Sequence, residues 1–239
     1  MPAETKFIAE NIARVRERIA RAAERAGRRA EEITLVAVSK TFPAEAIRAA
    51  YEAGVRHFGE NRLQEFEAKR GVLADLQGVT WHMIGHVQGN KARKVAELFG
   101  RVDSINRFSL AETLDAAIAE GARGERLPVL IEVKLGGEET KTGAEEASLA
   151  QLADDVMQKC PDLELRGVMA IPPYAEDPER ARPYFRRLRE LRDELQRKIA
   201  RELPALSTGM SHDFEVAIEE GATEVRIGTA IFGERRKPR

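Results

Sequence analysis

The sequence predicts an α/β fold, a (β/α)8 barrel of the TIM type, from three observations. Eight short β-branched runs alternate with longer segments of helical spacing. The 239 residues suit eight such units, which typically take about 250. Neither a GxGxxG turn nor a Walker-A loop is present, and an open doubly wound sheet would also use fewer strands.

The elements follow in order. An extra helix comes first, within residues 1–27: Ile8, Ile12, Val15, Ile19, Ala22 and Ala26 recur every three or four positions, and Gly27 stops it. The barrel is expected over 33–233, and the whole chain, 1–239, as one domain. Ile33 to Val38 is the first buried strand, with a helix from Pro43 to Ala53, proline in its first turn. Val55 to Phe58 is the second strand. Asn61 to Arg70 is its helix, where Asn61 and Gln64 have the spacing of a capping box. Val79 to Ile84 and Asn90 to Phe99 form the third unit, Val102 to Ile105 and Leu110 to Glu120 the fourth. Pro128 to Val133 is the clearest strand, with a helix from Ala144 to Gln158. Leu163 to Ile171 is the sixth strand, and its long helix ends near Arg201. Pro183 belongs near the start of that helix, since proline deep inside costs about 3 kcal/mol. Pro204 to Leu206 is the short seventh strand and Ser211 to Glu220 its helix. Glu224 to Ile227 is the eighth, and Thr229 to Phe232 a final turn.

Composition narrows the function classes. Basic and acidic residues number 39 and 40, a net charge of −1, without the basic excess of a dedicated nucleic-acid binder. At 43% hydrophobic the chain can fill a core, unlike a disordered one. One cysteine leaves no intramolecular disulfide and no multi-cysteine metal site. No apolar run reaches the ~18 residues of a membrane span, and Met1 to Arg29 lacks the apolar stretch of a secretory signal. A soluble cytoplasmic protein is expected.

In such a barrel the chemistry lies at the carboxyl ends of the strands. Lysine is scarce, ten of the 39 basic residues, and Lys40 ends the first strand with the inward parity of Val36 and Val38. A lysine there is either a Schiff-base former with a depressed pKa or a strand-end cation that reaches solvent or pairs with a carboxylate such as Glu60. Barrels often bind phosphate after strands seven and eight. At those addresses stand Ser207-Thr208-Gly209-Met210-Ser211 and Gly228-Thr229, small residues with hydroxyls and backbone N–H groups to offer. The competing reading makes Ser211 an N-cap and Gly228 a turn glycine. Asp213 would repel a phosphate, so its side chain is expected to point away. A Schiff-base lysine with a phosphate cradle suggests pyridoxal phosphate (PLP), its ring across the barrel mouth between the two anchors. Arg226 shares the parity of Gly228 and would face the ring or phosphate, or else form a salt bridge within the barrel. A cation at the pyridine nitrogen would leave it unprotonated and make carbanion chemistry sluggish.

Other residues are given bland roles. His82 could stack on the cofactor but reads better, with His86, as a core or rim histidine, and the two lack the third ligand of a zinc site. Cys160 reads as a bystander, and Tyr174 as a lid residue or an acid–base group. Arg182, Arg186, Arg187, Arg189 and Arg192, interleaved with Glu190, Asp193 and Glu194, read as a solvated, paired helix face.

Five segments resemble one known family. They are LVAVSKTFP (Leu35 to Pro43), HFGENRLQE (His57 to Glu65), WHMIGHVQGNK (Trp81 to Lys91), VMAIPP (Val168 to Pro173) and LSTGMSHDFEVAIEEGATEVRIGTAIFGER (Leu206 to Arg235). In order and spread over nearly the whole chain, they resemble the pyridoxal phosphate homeostasis proteins, the YggS/PROSC family. The resemblance implies a barrel like the N-terminal domain of alanine racemase, without the second β-domain. It implies that Lys40 holds PLP as an internal aldimine. Ser211, Gly228 and Thr229 would bind the phosphate, with Arg226 close to the cofactor and Asn61 near its ring. It implies a carrier, buffer or regulator in intracellular PLP homeostasis, with little or no turnover and no assigned catalytic residue. PLP-dependent apoenzymes would be partners, and the chain a monomer or weak dimer. The stretch Lys134-Leu135-Gly136-Gly137-Glu138 departs from the family by its glycines. Two alternatives stand beside the carrier: a small PLP-dependent enzyme of racemase type, and a Schiff-base phosphosugar lyase.

Overall fold

The computed structural model describes residues 3–136 and 142–234. Gly137 and Glu138 of the glycine-rich stretch, and Arg235 at the end of the last motif, lie outside the described residues. Eight parallel strands close on themselves in chain order, β8 pairing with β1. They are β1 (Thr34–Val38), β2 (His57–Glu60), β3 (Thr80–Met83), β4 (Arg101–Ile105), β5 (Leu127–Glu132), β6 (Leu163–Met169), β7 (Ala205–Ser207) and β8 (Glu224–Ile227). Around them run α1 (Ala3–Arg25), α2 (Ala44–Glu52), α3 (Leu63–Arg70), α4 (Ala92–Leu98), α5 (Phe108–Ala117), α6 (Leu149–Lys159), α7 (Arg182–Ile199), α8 (Phe214–Glu219) and α9 (Thr229–Phe232). The barrel with an extra N-terminal helix is therefore the fold, as its alternating pattern predicted.

The apolar faces explain the layering. Ile8, Ile12, Val15, Ile19 and Ala22 of α1 are buried with Ile47 and Ala50 of α2, Ala217 and Ile218 of α8 and Ile231 of α9. The extra helix thus covers the place where the last strand meets the first. Asn11 pins it there, its Nδ2 donating to Ile231 O at 2.7 Å. Gly27, at φ +65°, ends the helix in the left-handed conformation that glycine adopts without steric cost. Pro183 lies in the first turn of α7, where its missing N–H has no helical partner to lose.

Three local expectations are corrected. The second strand starts two residues later than expected and takes in Gly59 and Glu60, poor strand formers held by pairing with Val38 of β1 and Met83 of β3. Asn61 and Gln64 do not form a capping box: α3 begins at Leu63 after Arg62, without a side-chain cap. Ser211 is not an N-cap, because α8 begins only at Phe214. Asp213 closes the intervening turn by accepting the Met210 N–H at 2.7 Å.

The arginine face of α7 is paired, but chiefly with other elements. Arg182, Arg186 and Arg189 reach Glu220 at 3.1, 3.2 and 3.5 Å, tying α7 to the end of α8, and Arg187 reaches Glu146 at 3.0 Å. Among the described residues no helix is long and apolar enough to cross a membrane.

Candidate ligand-binding site

The expected residues gather at the carboxyl ends of β1, β2, β7 and β8. Closure of the barrel makes β8 the neighbour of β1, with Arg226 registered on Val36. Gly228 lies against Val38: a Cβ added to Gly228 would sit 3.4 Å from Val38 O. The Lys40 turn and the loop after β8 are therefore adjacent, not on facing sides of the mouth as the sequence reading had them. Lys40 itself is half-buried, two residues beyond the last residue of β1.

The loops after β7 and β8 meet. Ser211 Oγ accepts the Ala230 N–H at 3.1 Å, which brings Ser211 beside Gly228 and the exposed Thr229. Gly209 makes the sharp turn out of β7 possible. Its φ is +90°, and a Cβ there would be 2.6 Å from Ala217 Cβ. The Asp213 carboxyl accepts the Met210 N–H, and burial pushes its pKa up from the usual carboxylate value.

Arg226 faces inward and is only 3% exposed. Its guanidinium donates to Ser207 Oγ at 2.8 Å and Ala170 O at 2.9 Å, both neutral acceptors at strand ends. Among the described residues no salt bridge answers it. Burial lowers its pKa, against the pull of Asp103, Glu224, Glu132 and Asp213 at longer range. Asn61 follows β2 directly and stands half-buried at the rim. Gly85 lets it pack there, since a Cβ on Gly85 would clash with Asn61 O at 2.2 Å.

Sequence reasoning missed what surrounds Lys40. Glu60, considered as a partner for Lys40, is instead held by Lys69 Nζ at 2.6 Å and by Ser39 Oγ at 2.6 Å. Lys69 also donates to Ser39 O at 3.0 Å and Phe42 O at 3.3 Å, which fills its three donors. The second oxygen of Glu60 is buried without a partner among the described residues. Burial raises the Glu60 pKa despite Lys69 and Ser39.

His82 proves a core residue. It is fully buried, with Nδ1 3.0 Å from Asp103 and Nε2 3.0 Å from His57 Nδ1. Asp103 accepts from Arg101 at 2.6 Å, and Arg101 grips Glu224 with two bonds of 2.7 Å. His86 is exposed. Cys160 is buried, and burial with the nearby Asp115, Glu112 and Asp155 pushes its thiol up to about 11, so it is unreactive. Tyr174 stands 76% exposed beside His212. Among the described residues no group of His, Cys, Asp and Glu is placed to hold a metal ion.

The arrangement brings together a lysine turn, two converging hydroxyl loops and a buried arginine, which offer an amine, hydroxyl and backbone donors and positive charge at one end of the barrel. Comparison with known proteins agrees in fold. Residues 10–236 match the family model described as alanine racemase, N-terminal domain. An alanine racemase of Clostridium difficile superposes with a TM-score of 0.74 at 13% identity, covering 97% of this chain and 58% of the racemase. PipY of Synechococcus elongatus, solved with PLP bound, superposes at 0.83 with 38% identity, covering 95% of this chain and 100% of that one. A pyridoxal phosphate homeostasis protein of Aquifex aeolicus is 50% identical over 202 residues, 84% of this chain and 87% of its own length. With the barrel, its extra helix and this similarity along most of its length, the chain belongs to the pyridoxal phosphate homeostasis protein family.

Proposed function

We propose that this protein binds PLP covalently through Lys40 and serves intracellular PLP homeostasis as a carrier or buffer. The observation that carries the reading is the convergence of three segments. The loops after β7 and β8 are joined through Ser211 Oγ and Ala230 N–H at 3.1 Å, and β8 runs beside the strand that ends at Lys40. PipY, a relative at 38% identity, is solved with PLP bound.

The residues fit such a group. PLP supplies an aldehyde that condenses with a neutral lysine amine, releasing one water, and a phosphate that needs several donors. Lys40 provides the amine. Ser211 and Thr229 offer hydroxyls, and the backbone N–H groups of Gly228 and Thr229 are committed to no protein acceptor among the described residues. Gly228 keeps the approach to that backbone open. Arg226 supplies positive charge from below, fixed by Ser207 and Ala170. Asn61 offers a polar side chain at the rim of β2, where the ring would lie.

The protein's residues bind and orient in this reading, and none is assigned a proton transfer on a substrate. Turnover is accordingly slow or absent, and delivery goes to PLP-dependent apoenzymes. We read residues 1–239 as one cytoplasmic PLP-binding domain, a monomer or weak dimer. Purified protein should show the visible absorption of bound PLP. Borohydride should fix the cofactor's mass on the Lys40 peptide, and Lys40→Ala should lose that adduct entirely. A reducible adduct that persists in Lys40→Ala, or maps to another lysine, overturns the assignment. Efficient amino-acid racemisation overturns the carrier reading.

A further inference from the structure

The turn that carries Lys40 is held in an unfavourable shape. Thr41 has φ +69°, one of two non-glycine residues with positive φ among those described. For a β-branched residue this conformation is an outlier that its surroundings must enforce. Three acidic or basic groups do so, two of them from one face of α3. Glu65 accepts the Thr41 N–H at 3.2 Å. Lys69, four residues on, donates to Ser39 O at 3.0 Å and Phe42 O at 3.3 Å, the carbonyls on either side of Lys40 and Thr41. Glu60 anchors the Lys69 ammonium at 2.6 Å and takes the Ser39 hydroxyl at 2.6 Å. The Glu60 side chain is 0% exposed and that of Lys69 11%.

Burying this pair is expensive. Taking a carboxylate and an ammonium out of water carries a desolvation cost that is recovered only with good geometry and further hydrogen bonds. A connection of five residues, Ser39 to Pro43, needing only to join β1 to α2 would not require it. Lys69 spends two of its three donors on backbone, and both receiving carbonyls flank the ligand-binding lysine.

We propose that Lys69 is a positioning residue, which with Glu60 and Glu65 clamps the Ser39–Phe42 turn, aims Lys40 at the PLP aldehyde, and so sets how long the cofactor is retained. The inference rests on Lys40 as the attachment point. The clamp binds no ligand itself and acts only through the turn. Local flexing of α3 would then loosen Lys40 and release PLP without disturbing the phosphate loops across β8.

The test uses PLP-loaded full-length protein and follows transfer of PLP to an excess of apo-enzyme trap by the borohydride-fixed mass remaining on the Lys40 peptide at timed intervals. Lys69→Met leaves Glu60 as an unpaired buried charge and can unfold the chain. Glu60→Gln with Lys69→Met removes both charges at nearly constant volume, and thermal melting confirms that it folds. Both variants should still form the borohydride-reducible adduct on Lys40 and release PLP at least about tenfold faster, the scale of one lost charge-assisted hydrogen bond. Because the double variant changes no net charge, its faster release reports aim and not electrostatics. Lys69→Met should in addition raise the pH midpoint of the visible band, since a nearby positive charge is lost. A folded double variant that releases PLP within twofold of wild type overturns the clamp. If wild type itself forms no adduct on Lys40, the functional reading fails instead, and the two failures are told apart in one experiment.

Discussion

Two clusters of buried charge line this barrel, and they are built on different plans. Inside the barrel, Glu224, Arg101, Asp103, His82 and His57 form a chain in which each charged group is answered by a side chain. At the exit of β1 and β2, Lys69 and Glu60 also pair, but the ammonium goes on to backbone carbonyls and one Glu60 oxygen has no partner among the described residues. The first network is closed and holds strands together. The second is open and holds a turn in a shape it would not otherwise keep. Buried charge that satisfies itself points to architecture; buried charge that ends on the backbone beside Lys40, the lysine proposed to bind the ligand, points to positioning.

The contrast can be broken most sharply at Asp103. Burial alone would raise its pKa, but Arg101 and His82 overcome that and hold it well below the usual carboxylate range. Asp103→Ala leaves Arg101 and His82 without their shared acceptor, and should lower unfolding free energy by about 3–5 kcal/mol, the range for breaking a buried pair. Urea denaturation measures it, and an unchanged midpoint would show that the closed network is not a stabilising element. Ser39→Ala tests the open cluster. Glu60 loses one hydrogen bond while keeping Lys69, and stability should fall by about 1.5–3 kcal/mol, with the smaller end expected because the ion pair remains. A loss equal to that of Asp103→Ala would erase the distinction between the two.

The smallest expected effect is a pH dependence. Burial, then His82 and Arg101, lower the His57 pKa from 6.5 to about 4. The unfolded chain takes up a proton near 6.5 that the folded one refuses until about 4. His57 therefore contributes stability in full above 6.5, lost as pH falls between those values. His57→Gln keeps a donor for His82 without titrating. Between pH 7 and pH 5, wild type should lose about 1 kcal/mol more than the variant, allowing for screening of a half-buried ring. Parallel urea curves at both pH values decide it: equal losses would place His57 outside the closed network's electrostatics.

Much of the candidate site was legible as a set of strand-end positions, because address and side-chain parity are local properties. Lys40 follows from the period of two in β1, and Ser211, Gly228 and Thr229 from their places after the seventh and eighth strands. The inward aim of Arg226 came from the same parity, and its burial agrees. Lys69 left no comparable trace. In α3 it reads as an ordinary polar helix residue, and the only hint was its i,i+4 spacing from Glu65, which puts both on one face. The end of β2 was misread for a related reason: Gly59 and Glu60 have weak strand propensity, and only pairing on both sides makes them extended. Ser211 was weighed as an N-cap because serine before an apolar run usually is one, whereas Asp213 took the turn.

The sequence by itself determined the alternation of strands and helices, the amphipathic first helix with its glycine stop, and which hydroxyls and which lysine stand at strand ends. These follow from periodicity and from backbone limits on glycine and proline, which act over a few residues. Only the tertiary structure decided which charges meet. Arg101 and Glu224 are 123 positions apart and touch because the barrel closes. Lys69 reaches the Lys40 turn only because α3 packs back across the exits of β1 and β2. Such pairings depend on register and closure, which bring distant segments within hydrogen-bond reach and leave no pattern along the chain.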